Sequence, residues 1–469
     1  MTDPYVVPAP PRVEPPLQDP EGPRSLADLA AALESGCKPF GSWAIGVEHE
    51  VFAYDRASGV RLPFEGANGV ETLLQRLGEA TGGQPLREGD RVVGLQLLSG
   101  AVTTEPGGQI EFSTTPCPDL HHAERDVRAF ADALVEVADE LGVALLASGF
   151  DPVRSAGPVP EVPKARYDIM RRSMPGTGRG GLDMMHRTCS VQACLDVESE
   201  AHMVRAVRVA TALQPVVAAL FGNSPIADGA PTGRPSQRAW TWATTDSSRT
   251  GPLDLAFDDG FGFERYAEFA LDVPMYFVRR SRGYVDVQGA SFRDFLAGKL
   301  DALPGERPSW DDWSDHLGVV FTEVRLRPYV ELRGADAWPA SDLVALPALW
   351  TGLLYDSAAL YGAYDIVRGW TAVDRRALQS AVLARGLDGD ALGRSLRGLA
   401  QDAVTLAADG LRRRDRRDAQ GEDERRHLEP LRRILDGAGS RAAQTLRAYD
   451  ANPGTWPQRV FDHLAYHAP

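Results

Sequence analysis

The chain has 469 residues, 43% hydrophobic and 25% charged, with a formal net charge of −15. This is the composition of a globular protein with an ample core. The negative charge argues against nucleic acid or an anionic membrane as a main partner, since both need basic patches, and no apolar run approaches ~18 residues, so no membrane-spanning helix is expected.

Residues 1–24 carry Pro4, Pro8, Pro10, Pro11, Pro15, Pro16, Pro20 and Pro23 and are read as a flexible arm. They lack the apolar stretch of a signal peptide, which makes a cytoplasmic location the expectation. Ser25 with Asp28 predicts a capped helix carrying Leu26, Leu29 and Leu33. Asp119 opens a longer one, with Leu120, Ala123, Val127, Phe130, Leu134 and Leu141 at a period near 3.6. A third starts near Ser199 and runs towards Pro215, and the chain is mostly helical from about Val373 onward. The charged run Arg412 to Arg426 contains both signs and reads as a solvated helical face or hairpin tip. Helices and strands do not alternate regularly, so the expected class is α+β around an antiparallel sheet. Three stretches are expected: the arm at 1–24, a catalytic body at 25–370, and a helical part of the same domain at 371–469. The four scattered cysteines, Cys37, Cys117, Cys189 and Cys194, fit neither a disulfide framework nor a zinc motif.

Four extended segments each have one chemical face, because alternate side chains of a strand share a side. In Gly46–Phe52, Glu48 and Glu50 fall on one face and Val47, His49 and Val51 on the other. Two carboxylates so placed repel unless water or a cation separates them. In Glu105–Ser113 a Pro-Gly-Gly turn precedes Gln109, Glu111 and Ser113 on a shared face. Arg187–Asp196 puts Thr188, Ser190, Gln192, Cys194 and Asp196 on one side. In Glu323–Arg333 the polar face carries Glu323, Arg325, Arg327, Tyr329, Glu331 and Arg333. A solvated sheet face explains each segment alone. Together, hard oxygen ligands suit Mg²⁺ and arginines suit phosphate, the recurring parts of phosphoryl transfer. No G-x-x-x-x-G-K-[ST] motif is present, and the Gly-rich stretch Met174–Gly181 is read as a mobile loop.

At these residues the sequence resembles the plant-type glutamate–cysteine ligases. The likeness includes Glu105-Pro-Gly-Gly-Gln109, Arg166-Tyr-Asp-Ile-Met170, Gly181-Leu-Asp-Met-Met185, Arg187-Thr-Cys189, Phe261-Gly-Phe-Glu-Arg-Tyr266, Ala270-Leu-Asp-Val-Pro-Met-Tyr-Phe277, Phe292-Arg-Asp-Phe-Leu-Ala-Gly-Lys-Leu300 and Leu332-Arg-Gly-Ala-Asp336. The resemblance implies a glutamine-synthetase-like core, a curved antiparallel sheet forming a funnel with helices outside. It implies Glu48, Glu50, Glu111 and Glu331 as Mg²⁺ ligands with Gln192 nearby, Arg333 and Arg187 as catalytic cations, and Arg238, Trp242, Tyr276 and Thr188 at the substrate. The implied activity uses ATP to make a γ-glutamyl phosphate, which a small amino acid's amine attacks. Cysteine is the expected acceptor, as in glutathione synthesis, and a monomer or homodimer is expected. Four departures from the family pattern leave a second acceptor, such as propargylglycine, open: Val51 for Lys, Cys194 for Asn, Thr244 for Asp, and Ala337-Trp-Pro-Ala340 for Gly-Gly-Pro-Trp.

Overall fold

Alternation of apolar and polar side chains builds one antiparallel sheet. In the computed structural model, which describes residues 22–153, 159–176, 178, 180–281 and 283–467, nine strands form it. These are β1 (Ile45–Asp55), β2 (Gln84–Glu88), β3 (Arg91–Gln96), β4 (Gly100–Thr104), β5 (Ile110–Thr114), β6 (Val143–Leu146), β7 (Ser190–Leu195), β8 (Val324–Leu326) and β9 (Val330–Asp336). Their order is β8-β9-β7-β1-β5-β4-β3-β2, and β6 pairs with the later half of β1. The sheet is not closed. Residues 1–21 of the expected arm, and Thr177 and Arg179 of the Gly-rich stretch, lie outside the described residues, whereas Gly22 and Pro23 are buried.

The segments with one polar face become neighbours. Glu50 pairs with Glu111 and Glu48 with Ser113 across β1 and β5. Glu48 also pairs with Gln192 across β1 and β7, and Glu331 with Cys194 across β9 and β7. Residues directly opposite in a ladder project to the same side, so the polar faces merge into one. The reverse face, including Val47, Val51, Phe112, Val191, Ala193 and Leu332, is buried in the core. Helices α1 (Leu120–Glu140), α2 (Glu200–Phe221) and α3 (Ala345–Leu354) pack against strands of this sheet.

Two expected strands change shape. Glu323–Arg333 is a hairpin, β8 then β9, with Val324 opposite Leu332 and Arg325 opposite Glu331. Pro328 sits in its turn, where its missing N–H leaves no ladder bond unmade. The stretch expected to be extended from Arg187 is helical from Gly181 through Arg187, and β7 begins at Ser190. The Pro-Gly-Gly turn joins β4 to β5, with Gly108 at φ +77° donating its N–H to the Glu105 carbonyl.

The helix starts follow their caps. Ser25 accepts from Asp28 N while the Asp28 carboxylate receives Ser25 N, and Asp119 accepts from His122 N. α2 does not stop at Pro215 but continues to Phe221. An interior proline costs about 3 kcal/mol. Burial of every side chain from Val209 to Phe221 offsets it, each large apolar one contributing roughly 1.5–3 kcal/mol. This helix is long and apolar enough to cross a membrane, yet most of it is buried inside the fold. Beyond residue 371 helices dominate, and their apolar faces join the same core as the sheet. The charged run is not wholly solvated. Glu424 is 0% exposed, ion-paired to Arg414, and receives Leu120 N at the start of α1.

Candidate active site

On the merged face β1 presents Glu48 and Glu50, β5 presents Glu111 and β9 presents Glu331, with Gln192 and Cys194 of β7 between β1 and β9. Glu50 and Glu111 face each other in register, and Glu48, Cys194 and Glu331 offer atoms within 4.8 Å of one another. Few bonds hold these carboxylates: Ser190 N donates to Glu50 at 2.6 Å and Thr103 Oγ1 to Glu111 at 2.8 Å. Burial, then the neighbouring charge of Glu331, raises the Glu48 carboxyl. Burial and Glu105 push Glu50 up to about 8. Burial, then Glu105, Glu48 and Glu50, raise Glu111 well above the usual range. A set of carboxyls that resist ionising together is what a divalent cation relieves.

Glu331 is the opposite case. Burial pushes its carboxyl up, but Arg325, then Arg327 and Arg333, hold it down at about 2. Arg325 bonds the Glu331 carboxylate directly and is fixed by the Gly318 and Val320 carbonyls. Arg333 reaches from Gln192 Oε1, at 2.7 Å, to Glu331, at 3.6 Å. Beside it lies a pocket lined by Arg238, Ala239, Trp242, Phe321, Thr322, Glu323, Arg333 and Gly334. The short helix Gln237–Ala243, which carries Arg238 and Trp242, starts at Ser236. Asp336 holds that start by accepting from Ser236 and Ser224 at 2.7 Å each. Arg238 Nη2 donates to the Arg333 carbonyl at 2.8 Å, tying pocket to cluster.

The structure therefore brings Glu48, Glu50, Glu111, Glu331, Gln192 and Arg333 together, with Arg238 and Trp242 alongside. It does not bring Arg187 there. Placed at a helix end rather than on a strand, Arg187 pairs with Asp183 at 3.5 Å, one helical turn back, and with Asp228 at 2.7 Å. The Thr188 hydroxyl donates to the Met184 carbonyl at 2.7 Å. Tyr276 is 1% exposed and lies under the Arg249 guanidinium at 3.9 Å. Its hydroxyl faces the Met174 sulfur, and Tyr276 is not among the pocket's lining residues. Alternation missed Glu105, whose charge acts on both Glu50 and Glu111. It sits at the turn before β5, off any strand, so strand periodicity could not place it.

Of the four departures from the family pattern, Cys194 alone touches the carboxylates, its Sγ 3.9 Å from Glu48. Burial, then Glu48 and Glu331, raise its thiol well above the ordinary value, so it stays protonated. Val51 is 0% exposed on the core face. Thr244 back-bonds to the Trp240 and Thr241 carbonyls. Ala337 is buried, and Trp338 donates to the Phe221 carbonyl at 3.0 Å.

Known proteins resemble this chain over most of its length. The chain is 42% identical over 447 residues to the chloroplastic glutamate–cysteine ligase of Medicago truncatula, covering 95% of this chain and 86% of that protein. It is 42% identical over 444 residues to the chloroplastic enzyme of Arabidopsis thaliana, covering 95% and 83%. Among solved structures it is similar to the Francisella tularensis glutamate–cysteine ligase in complex with AMP, with a TM-score of 0.54 at 12% identity, covering 90% and 87%. That likeness shows the glutamate–cysteine ligase fold. The expected cytoplasmic location is overturned by these relatives, which are chloroplastic enzymes. A missing apolar stretch in residues 1–24 speaks only to secretion and does not separate cytoplasm from plastid. The profile of Glutamate-cysteine ligase family 2 matches residues 44–463, and the chain belongs to that family of ATP-dependent ligases.

Proposed function

We propose that the protein joins the γ-carboxylate of L-glutamate to the amine of L-cysteine. The observation that carries this reading is the merging of Glu48, Glu50, Glu111 and Glu331 on adjacent strands beside Arg333 and the Arg238–Trp242 pocket. The donor set fits Mg²⁺: hard carboxylate oxygens, three of them raised in pKa by burial and by neighbouring carboxylates, and a protonated thiol that does not compete. When bound, Mg²⁺ would neutralise charge on phosphate oxygens. The γ-carboxylate takes the terminal phosphoryl group of ATP, and the cysteine amine then displaces phosphate to form the amide. Arg333, held by Gln192, faces the transferred phosphoryl group, so Gln192 orients an arginine rather than a metal. Arg238 and Trp242 hold an amino-acid substrate. No protein nucleophile takes part: burial raises the Cys189 thiol well above its ordinary value, as it does that of Cys194.

Cysteine is favoured as acceptor because Val51 and Ala337, two of the changed positions that left another acceptor open, are buried in the core. ATP consumption with glutamate plus cysteine, alanine, 2-aminobutyrate or propargylglycine tests this. Cysteine is expected to give a kcat/KM at least about tenfold above the others, the discrimination available to a small pocket. Equal turnover across the panel overturns the assignment.

The carboxylates also predict a pH effect. Glu50, with its carboxyl at about 8, must lose its proton to bind a cation. From this proton alone the affinity for Mg²⁺ is therefore expected to rise about 50-fold between pH 6 and 8, with proton release. Calorimetric titration in two buffers of different ionisation enthalpy reads both quantities. A pH-independent affinity removes Glu50 from the metal set.

A further inference from the structure

Three buried polar atoms around one pocket meet no hydrogen-bond partner among the described residues: Arg238 Nε, Trp242 Nε1 and Glu323 Oε2. Each is costly to leave unpaired, a charged group more so than a neutral one. Three on the same small cavity point to something that fits there. Two are donors and one is an acceptor, which sets the polarity of the ligand. The donors take a carboxylate and the acceptor takes an ammonium.

The backbone aims Glu323 into this cavity. Its N–H donates to the Gly251 carbonyl at 3.0 Å and its carbonyl accepts from Arg333 N at 2.9 Å, so the residue is pinned immediately before β8. Trp242 and Phe321 meet edge to face at 5.9 Å in the pocket lining. Arg333 lines the same cavity and reaches Glu331 of the carboxylate cluster, so whatever occupies it lies next to the reacting centre. Burial pushes the Glu323 carboxyl up to about 7, opposed by Arg238. A cationic group brought beside it would favour the carboxylate form.

We infer that Glu323 receives the α-ammonium group of an amino-acid substrate whose α-carboxylate lies on Arg238 and Trp242. The inference deepens the proposed ligase reading and rests on it for the choice of amino acids. Two substrates carry the same zwitterionic end, glutamate and the acceptor, and the experiment separates them.

The test is direct binding, which does not require turnover. Calorimetry compares glutamate with glutarate, and cysteine with 3-mercaptopropionate, the second of each pair lacking the amine. Wild-type protein is expected to bind one amino acid about 30-fold tighter than its amine-free analogue, the scale of one buried charge-assisted hydrogen bond. The pair that shows the preference names the occupant. In Glu323→Gln that ratio is expected to fall to about threefold, with the affinity for MgATP within about twofold of wild type. A wild-type protein indifferent to the amine in both pairs overturns the inference without needing a variant. So does a ratio that survives in Glu323→Gln, which would mean that water satisfies the carboxylate. Failure to form any γ-glutamyl amide would sink the ligase reading separately, because the amine preference is read in the absence of turnover.

Discussion

Glu111→Gln is expected to abolish ATP-dependent phosphate release, with turnover down by at least about 10³-fold. The substitution keeps the shape of the side chain and its bond from Thr103 but removes one charge from the row formed with Glu50 and Glu48. A preorganised charge at a phosphoryl-transfer centre contributes most of its effect in the transition state, so kcat carries the loss. Stability moves the other way. With no cation bound, the Glu111 carboxyl is raised, so it is protonated in the folded state over a pH range where the unfolded chain has lost that proton. The folded state then binds more protons than the unfolded one, and this contribution declines as pH rises above the unfolded value. A neutral amide removes that penalty. Under chelation at pH 8 the variant is expected to melt at or above the wild-type midpoint while remaining inactive. Near-normal phosphate release would exclude Glu111 from the site, and a lowered midpoint would show that the loss came from folding.

Much of the site was legible because a strand has a period of two. That periodicity assigned Glu48 and Glu50 to one face and Val47 and Val51 to the other, and the register then aligned Glu50 with Glu111 and Glu48 with Gln192. It even survived the error at Glu323–Arg333. Folding that stretch into a hairpin still leaves Arg325 opposite Glu331, since paired residues share a side. Where the backbone leaves the strand, the rule fails. Arg187 ends a helix and turns to Asp183 and Asp228, although its sequence neighbours Ser190 and Gln192 lie on β7. Tyr276 turns its hydroxyl to the Met174 sulfur and Thr188 bonds the Met184 carbonyl one turn back, which residue type alone does not reveal. The family pattern supplied Arg238 and Trp242, which no periodicity connects to the strands. Their union with Arg333 depends on Asp336 gripping Ser224 and Ser236, contacts across 112 and 100 residues. Glu323 was visible as a polar-face residue, but its role depends on the pocket around it.

Arg333 tests whether that union is catalytic. Arg333→Gln is expected to lower kcat by about 10²–10³-fold, the effect of removing one group that stabilises transferring charge. Arg333→Lys keeps the positive charge but not the fork that lets one guanidinium reach both Gln192 and Glu331, and about tenfold is expected from it. Glu331 stays ionised in either variant, because Arg325 is its first partner and Arg327 its second. The metal set should therefore persist, and Mg²⁺ affinity in the absence of nucleotide should change by less than about threefold. The split distinguishes two roles. A phosphate-facing arginine loses kcat while leaving Mg²⁺ affinity in place; a purely structural one loses the midpoint of unfolding and every binding constant together. Arg333→Lys indistinguishable from wild type in kcat would assign the phosphate contact to another cation. The neighbouring candidate is Arg327, which lies 3.9 Å from Glu331 and is the less firmly tethered of the two remaining arginines. Arg325 is unsuited to the task, since its guanidinium is already engaged by Glu331 and two backbone carbonyls.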